Sequence, residues 1–322
     1  LDLVAEIMGT APRLAELLSR KPILLDAVLS PDFFDPLEDA DALKAELDET
    51  LGQARDYQDV LDLTRRWAND RKFQNGVQLL RGRADPDAAA RHLSAVAEAS
   101  LAALLQAVEA EFAQSHGRVA GGGLAIVAMG KFGGRELMPR SDLDLVFVYD
   151  HEADAEGSDG DKPLGPAVYY LRLCQRLVTA IASETGEGKL FEVDNRLRPD
   201  GKSGPLATQF ATFEAYYRDR EGKPGGDAWT WEHMALTRAR AAVGPADLCA
   251  RIDETIAANL NQARDPKALV RDVATMRRRI AREFPAKSPW EVKHRAGGLV
   301  DVEFIAQYLQ LLSGGSAHPA AS

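Results

Sequence analysis

Ala128-Met129-Gly130-Lys131-Phe132-Gly133-Gly134-Arg135-Glu136-Leu137-Met138-Pro139-Arg140-Ser141-Asp142-Leu143-Asp144-Leu145-Val146-Phe147 joins two apolar runs through a glycine turn and a short helix-like segment. The second run opens with two carboxylates one residue apart. Successive side chains of a strand point to opposite faces, so Asp142 and Asp144 project together while Leu143, Leu145 and Phe147 turn toward a core. Adjacent carboxylates repel each other, which raises a pKa unless a cation offsets the charge. A hard divalent ion with oxygen ligands, most simply Mg²⁺, is the natural partner, and such an ion commonly shares its remaining positions with substrate phosphates.

Outward from this stretch, the period of the apolar residues changes. Leu124 to Met129 and Leu143 to Tyr149 read as buried strands, whereas residues 1–118 read as helices throughout. Thr10 with Pro12 forms a cap and first turn ahead of Leu14, Leu17 and Leu18, and Asp41 opens a second stripe through Leu43, Leu47 and Leu51. A third stripe runs through Val60, Leu63 and Trp67. The clearest helix opens at Asp85-Pro86 and carries Leu93, Ala97, Leu101, Leu104, Leu105, Val108 and Phe112 on one face. Downstream, the acidic, glycine-rich stretch from Tyr149 to Pro166 reads as a solvated loop, and Val168 to Ile181 as an amphipathic helix. Lys189 to Leu197 reads as a third strand, closed by Arg198-Pro199-Asp200-Gly201, and Trp229 to about Arg240 as a helix followed by more helices. The expected fold class is therefore α+β, a small mixed sheet with helices, flanked by all-α regions. The expected domains are a helical region over 1–118, a catalytic domain over 119–245, and the start of a second helical domain over 246–322.

The composition, 45% hydrophobic and 27% charged, is that of a globular chain with a substantial core. A net charge of −10 disfavours non-specific nucleic-acid binding. Cys174 and Cys249 read as reduced thiols, and the scattered histidines show no zinc-binding spacing. No apolar run reads as long enough to span a bilayer and no signal peptide is evident, so the expected setting is cytoplasmic, without membrane or nucleic-acid partners. The chain starts at Leu1 and stops just after a strong helix, which reads as a piece of something larger.

The chemistry gains a third acid from Glu192-Val193-Asp194-Asn195-Arg196-Leu197-Arg198. By the period-2 count Glu192, Asp194, Arg196 and Arg198 share a face, and Asp194 joins Asp142 and Asp144 if the strands are neighbours. Three acids around one or two Mg²⁺ ions suit phosphoryl or nucleotidyl transfer, in which the ions neutralise phosphates and orient an in-line attack. Gly130, Gly133 and Gly134 would let backbone N–H groups come close to a phosphate.

The order strand, glycine turn, short helix, Ser-Asp-x-Asp strand, helix, acid-bearing strand resembles the polymerase-β-like nucleotidyltransferases. More closely, the chain resembles the bacterial glutamine synthetase adenylyltransferases. The stretches that carry this are Gly130 to Leu137, Ser141 to Leu145, Glu192 to Gly201, Ala228-Trp229-Thr230-Trp231-Glu232-His233-Met234-Ala235-Leu236-Thr237-Arg238-Ala239-Arg240 and Lys293 to Phe304. The resemblance implies a cytoplasmic enzyme with two nucleotidyltransferase domains. One removes AMP from glutamine synthetase by phosphorolysis; the other attaches AMP from ATP. The single domain here, with Trp-Thr-Trp-Glu-His preceded by Asp227-Ala228, is more similar to the attaching half. The removing half stays the alternative, ahead of a related transferase or a nucleotide-sensing module without catalysis.

The resemblance further implies roles. Asp142 and Asp144 hold two Mg²⁺ or Mn²⁺ ions, Asp194 completes the site nearest the attacking tyrosine hydroxyl, and ATP is the nucleotide substrate. Ser141 and the amides around Gly130 contact phosphates, with Lys131, Gly133, Gly134, Arg196 and Arg198 as further phosphate-side candidates. Glutamine synthetase is the implied protein partner, and the PII signalling protein acts on the whole enzyme. Trp229 and Trp231 read as core, Arg238 and Arg240 as within reach of the cleft, and Asp301 and Glu303 as locks between helical and catalytic parts. The basic run Arg277 to Arg282 reads as a solvated helix face, or as a docking surface for an acidic partner.

Overall fold

The computed structural model describes residues 2–20, 28, 31–139, 141–218 and 228–314. Arg140 and Asp227 lie outside the described residues. The chain divides into two compact units. One comprises residues 1–119, 135–143 and 156–193, and the other 120–134, 144–155 and 194–322.

The first unit is built on helices: α1 (Asp2–Thr10), α2 (Pro12–Arg20), α3 (Ala40–Leu51), α4 (Tyr57–Leu80), α5 (Pro86–His116) and α7 (Pro166–Ala182). Asp39, Asp56 and Asp85 cap α3, α4 and α5, each carboxylate accepting a backbone N–H of the first turn. Asp41, which opens the second stripe, lies in the first turn of α3, whereas Thr10 ends α1, its hydroxyl donating to the Glu6 carbonyl, instead of opening α2. Asp85→Ala is expected to cost about 1 kcal/mol, the usual value of a lost N-cap, read as a shift in urea midpoint.

By length and composition α5 could cross a bilayer, which corrects the expectation that no segment could. Its apolar face is occupied, however. Leu93, Val96, Leu101, Leu104, Val108 and Phe112 are all buried, and α5 packs against α3, α4 and α7. Arg65 of α4 is fully buried, and its guanidinium donates to the carbonyls of Leu61, Ala180 and Ser183. The last two lie at the C-terminal end of α7, where a cation meets the negative end of the helix dipole. The 150–165 segment is mostly exposed, as expected of a solvated loop; Ser158 is its one buried residue and bridges Val119, and the Asp159 carboxylate accepts the Arg118 N–H at 2.6 Å.

The sheet runs β3 (Val193–Asp194), β2 (Leu143–Asp150), β1 (Gly123–Ala128), β5 (Arg240–Val243), with β4 (Ala207–Gln209) pairing β2. β1 is antiparallel to both β2 and β5, while β4 is parallel to β2, so the sheet is mixed. β1 is buried along nearly its whole length, as a central strand covered on both faces must be. In the second unit Ala125, Val127, Met129, Val146 and Val148 pack under α8 (Phe210–Tyr217), α9 (Thr230–Leu236) and α10 (Ala246–Leu260). Phe213, Tyr217, Met234, Ile252 and Ile256 fill that space. α11 (Pro266–Glu283) and α12 (Leu299–Leu312) add Leu269, Val273 and Leu311 to the same core.

Three differences from the expected elements concern the sheet. The third strand is two residues long, not nine, because the chain turns immediately after Asp194. Ala207–Gln209, not expected as a strand, pairs β2. The helix expected over 229–240 stops at Leu236, and Arg240 opens β5 instead.

Candidate active site

Among the described residues, Asp142, Asp144 and Asp194 form a cluster in which one carboxylate oxygen from each lies within 4.8 Å of the others. Asp144 continues the face of β2 that carries the buried Val146 and Val148, so the acids extend a core-facing row to its edge. Leu143, Leu145 and Phe147 alternate with them and are fully buried. The ladder that brings Asp194 near is anchored where the Leu143 N–H donates to the Glu192 carbonyl at 2.9 Å.

Between β1 and β2 the glycine turn forms a single helical turn, α6 (Gly130–Gly133). The Met129 N–H donates to the Asp144 carbonyl at 2.9 Å, holding the start of the turn against β2. Gly130 has φ +54°, and a Cβ there would sit 2.3 Å from Asp144 Oδ2. Only glycine tolerates both the left-handed backbone and that approach, so its Cα is the floor on which the Asp144 carboxylate rests. Gly133 answers a different need, since a Cβ there would lie 1.8 Å from the Arg238 carbonyl oxygen. Gly134 ends the turn, its N–H donating to the Gly130 carbonyl. Lys131 is exposed on the outside of the turn.

The remaining candidates divide. Arg196 turns back on Asp194, its Nε lying 2.9 and 2.8 Å from the two carboxylate oxygens. Its backbone N–H also donates to Asp194. Arg198 grips the turn itself, donating to the carbonyls of Asn195 and Gly204. The period-2 face expected for Asp194, Arg196 and Arg198 does not extend past Asp194, because the strand ends there. The Ser141 hydroxyl accepts the Met138 N–H at 3.0 Å and its own N–H returns to the Met138 carbonyl, closing the turn that leads into Asp142.

The donor set suits a hard cation. It offers carboxylate oxygens without sulfur or imidazole, the chemistry of Mg²⁺ or Mn²⁺ sites and not of structural zinc. Three carboxylates gathered this closely repel one another, and the Arg196 guanidinium offsets part of that charge.

Sequence reasoning missed a buried network behind the 194–204 turn. Tyr216 donates its hydroxyl to the Glu232 carboxylate at 2.9 Å and accepts the Asp200 N–H at 3.3 Å, while Glu232 accepts the Trp229 N–H at 2.7 Å. Burial pushes the Glu232 carboxyl above its ordinary range, against the lowering effect of the Trp229 and Tyr216 hydrogen bonds. With the folded pKa above the unfolded one, Glu232 weighs nothing on stability at low pH. Its contribution falls as pH climbs from the ordinary carboxylate value through the raised one. Glu232→Gln, neutral throughout, is expected to gain on the parent in urea midpoint as the pH rises above about 4, the ordinary carboxylate value.

Trp229 is 70% exposed, which corrects its assignment to the core, and Trp231 is half-buried. Arg238 pairs with Glu303 at 3.6 Å, and Arg277 pairs with Asp301. Arg277 of the basic run is therefore spent inside the second unit, while Arg278, Arg279 and Arg282 are exposed.

A carboxylate cluster on a mixed sheet beside a glycine turn is the equipment of the nucleotidyltransferases, and comparison with known proteins arrives at that class independently. The family model described as glutamate-ammonia ligase adenylyltransferase matches residues 1–255. Relatives described as bifunctional glutamine synthetase adenylyltransferase/adenylyl-removing enzymes cover nearly all of the chain. The Mesorhizobium japonicum protein is 47% identical over 100% of this chain, that of Xanthobacter autotrophicus 46% over 98%, and that of Brucella suis 45% over 97%. The chain belongs to the glutamate-ammonia ligase adenylyltransferase family. It spans about a third of the length of these relatives, 32% of the first and 31% of the others.

Proposed function

We propose that this chain carries the AMP-attaching site: ATP and a tyrosine hydroxyl of glutamine synthetase give tyrosine-linked AMP and pyrophosphate. The observation that carries the reading is the meeting of Asp142, Asp144 and Asp194. In this reading the fold is polymerase-β-like, with its catalytic domain over 119–245 and a cytoplasmic setting. Asp142 and Asp144 would hold Mg²⁺ or Mn²⁺ together with Asp194. When bound, the ions neutralise phosphate charge and lower the pKa of the attacking hydroxyl.

The chain's own groups supply the rest. The tyrosine oxygen bonds to the α-phosphorus of ATP as the bond to the bridging oxygen breaks, and pyrophosphate leaves with that oxygen. Asp194 would take up the hydroxyl proton. The Gly130 turn and Ser141 would contact the phosphates, with the exposed Lys131 as a further phosphate-side group. Arg196 steadies Asp194, and Arg198 shapes the turn that follows it.

The relatives' description names both addition and removal of the adenylyl group. The direction chosen here rests on the Trp229-Thr230-Trp231-Glu232-His233 stretch, which resembles the attaching half. The protein is given radiolabelled ATP with unmodified glutamine synthetase, and separately phosphate with labelled adenylylated glutamine synthetase. Label transferred to tyrosine in the first arm is expected. Label released in the second arm alone would assign the site to removal.

A further inference from the structure

Arg240 is 7% exposed, an unusual place for a guanidinium, and its surroundings account for it. Its Nε donates to the Gly133 carbonyl at 3.1 Å and its terminal nitrogen to the Phe132 carbonyl at 3.3 Å. The guanidinium also lies over the buried Phe132 ring, 5.5 Å from its centroid. These are the last carbonyls of α6, so the planar fork closes the far end of the glycine turn. The near end meets Asp144, through the Met129 N–H and through the Gly130 Cα on which its carboxylate rests. A turn of four residues is too short to absorb a shift at one end without passing it to the other. Gly133 leaves no slack either, since the Arg238 carbonyl fills the space where its side chain would be. Arg240 itself is fixed in register, paired with Ala128 at the end of β1.

We propose that Arg240 is a positioning residue for the metal-binding carboxylates: by clamping the far end of the glycine turn it sets the orientation of Asp144. This rests on the reading of Asp142, Asp144 and Asp194 as a divalent-metal site. It assigns Arg240 an action through the turn, not contact with substrate. Lysine in its place keeps the charge but lacks the fork, and reaches one carbonyl where arginine reaches two.

The test is Mn²⁺ binding to the intact protein, followed by electron paramagnetic resonance without nucleotide, together with hydrogen exchange of the amides of residues 129–134. In Arg240→Lys the Mn²⁺ affinity is expected to fall by about tenfold or more, the usual effect of removing a group that orients a metal ligand. Exchange at 129–134 is expected to quicken while the cooperative melt is kept. Should Arg240→Lys lose that melt, Arg240→Gln, which can still donate to one carbonyl, carries the same comparison. A purely structural role would lower the melting temperature and leave the affinity of the folded protein unchanged, and that result would overturn the inference. A parent protein that binds no Mn²⁺ would instead remove the metal reading itself, and the inference with it.

Discussion

Replacing Asp144 by asparagine is expected to lower AMP transfer by more than about 100-fold, since loss of even a group that merely orients a metal ligand costs 10–100-fold. The fold is expected to remain at least as stable as the parent's in the absence of metal. Both halves follow from the same geometry. Asparagine keeps the volume of the side chain resting on Gly130 but removes one of three charges that repel within 4.8 Å. The repulsion eases while the oxygen ligand loses its charge, so function and stability move in opposite directions. Radiolabelled-ATP transfer and thermal melting in a chelator read the two quantities separately. Transfer within a few-fold of the parent would remove Asp144 from the metal site. A large drop in melting temperature would show that the acid holds the fold together.

Gly133→Ala is expected to destabilise the second unit by about 3 kcal/mol, the upper end of the cost of overpacking. The added methyl would fall 1.8 Å from the Arg238 carbonyl oxygen and 2.7 Å from that of Ala128, both backbone atoms. A flexible side chain could swing aside, but these carbonyls belong to the end of β1 and the approach to β5, which pair with each other. Gly9→Ala is the control: nothing lies within 4 Å of the methyl it adds, and in α1 the change should stabilise by about 0.5–1 kcal/mol. Urea midpoints of the two variants should move in opposite directions. An unmoved midpoint for Gly133→Ala would mean that the turn gives way more easily than its packing indicates.

What was legible in the sequence was what short stretches determine by themselves. Asp85-Pro86 announces α5 because a cap and a proline at the first turn act on adjacent residues. The paired acids of β2 follow from period-2 geometry alone. What was not legible depends on partners far along the chain. Ala235-Leu236-Thr237-Arg238-Ala239-Arg240 has the composition of a helix, yet pairing of Arg240 with Ala128 draws the last residue into the sheet. β4 has only three residues, too few for any pattern, and exists because β2 leaves an edge to be paired. Arg198 was set beside Asp194 by extending a strand that in fact ends at Asp194. The family resemblance covers the motifs and not these pairings, so it could not supply them.

The order of pairing has a consequence for how the site comes into being. β2 finds β1 across one short loop, but β3, β4 and β5 arrive from progressively later parts of the chain. Contacts of such long sequence separation form slowly, because loop closure must be met before pairing offsets it. A growing chain therefore holds all three aspartates well before it holds the cluster. Asp194 has no ladder until β3 docks on β2, and the glycine turn has no clamp until Arg240 emerges. On the proposed metal reading, an unfinished copy of the chain has the acids without the pairings that gather them around an ion.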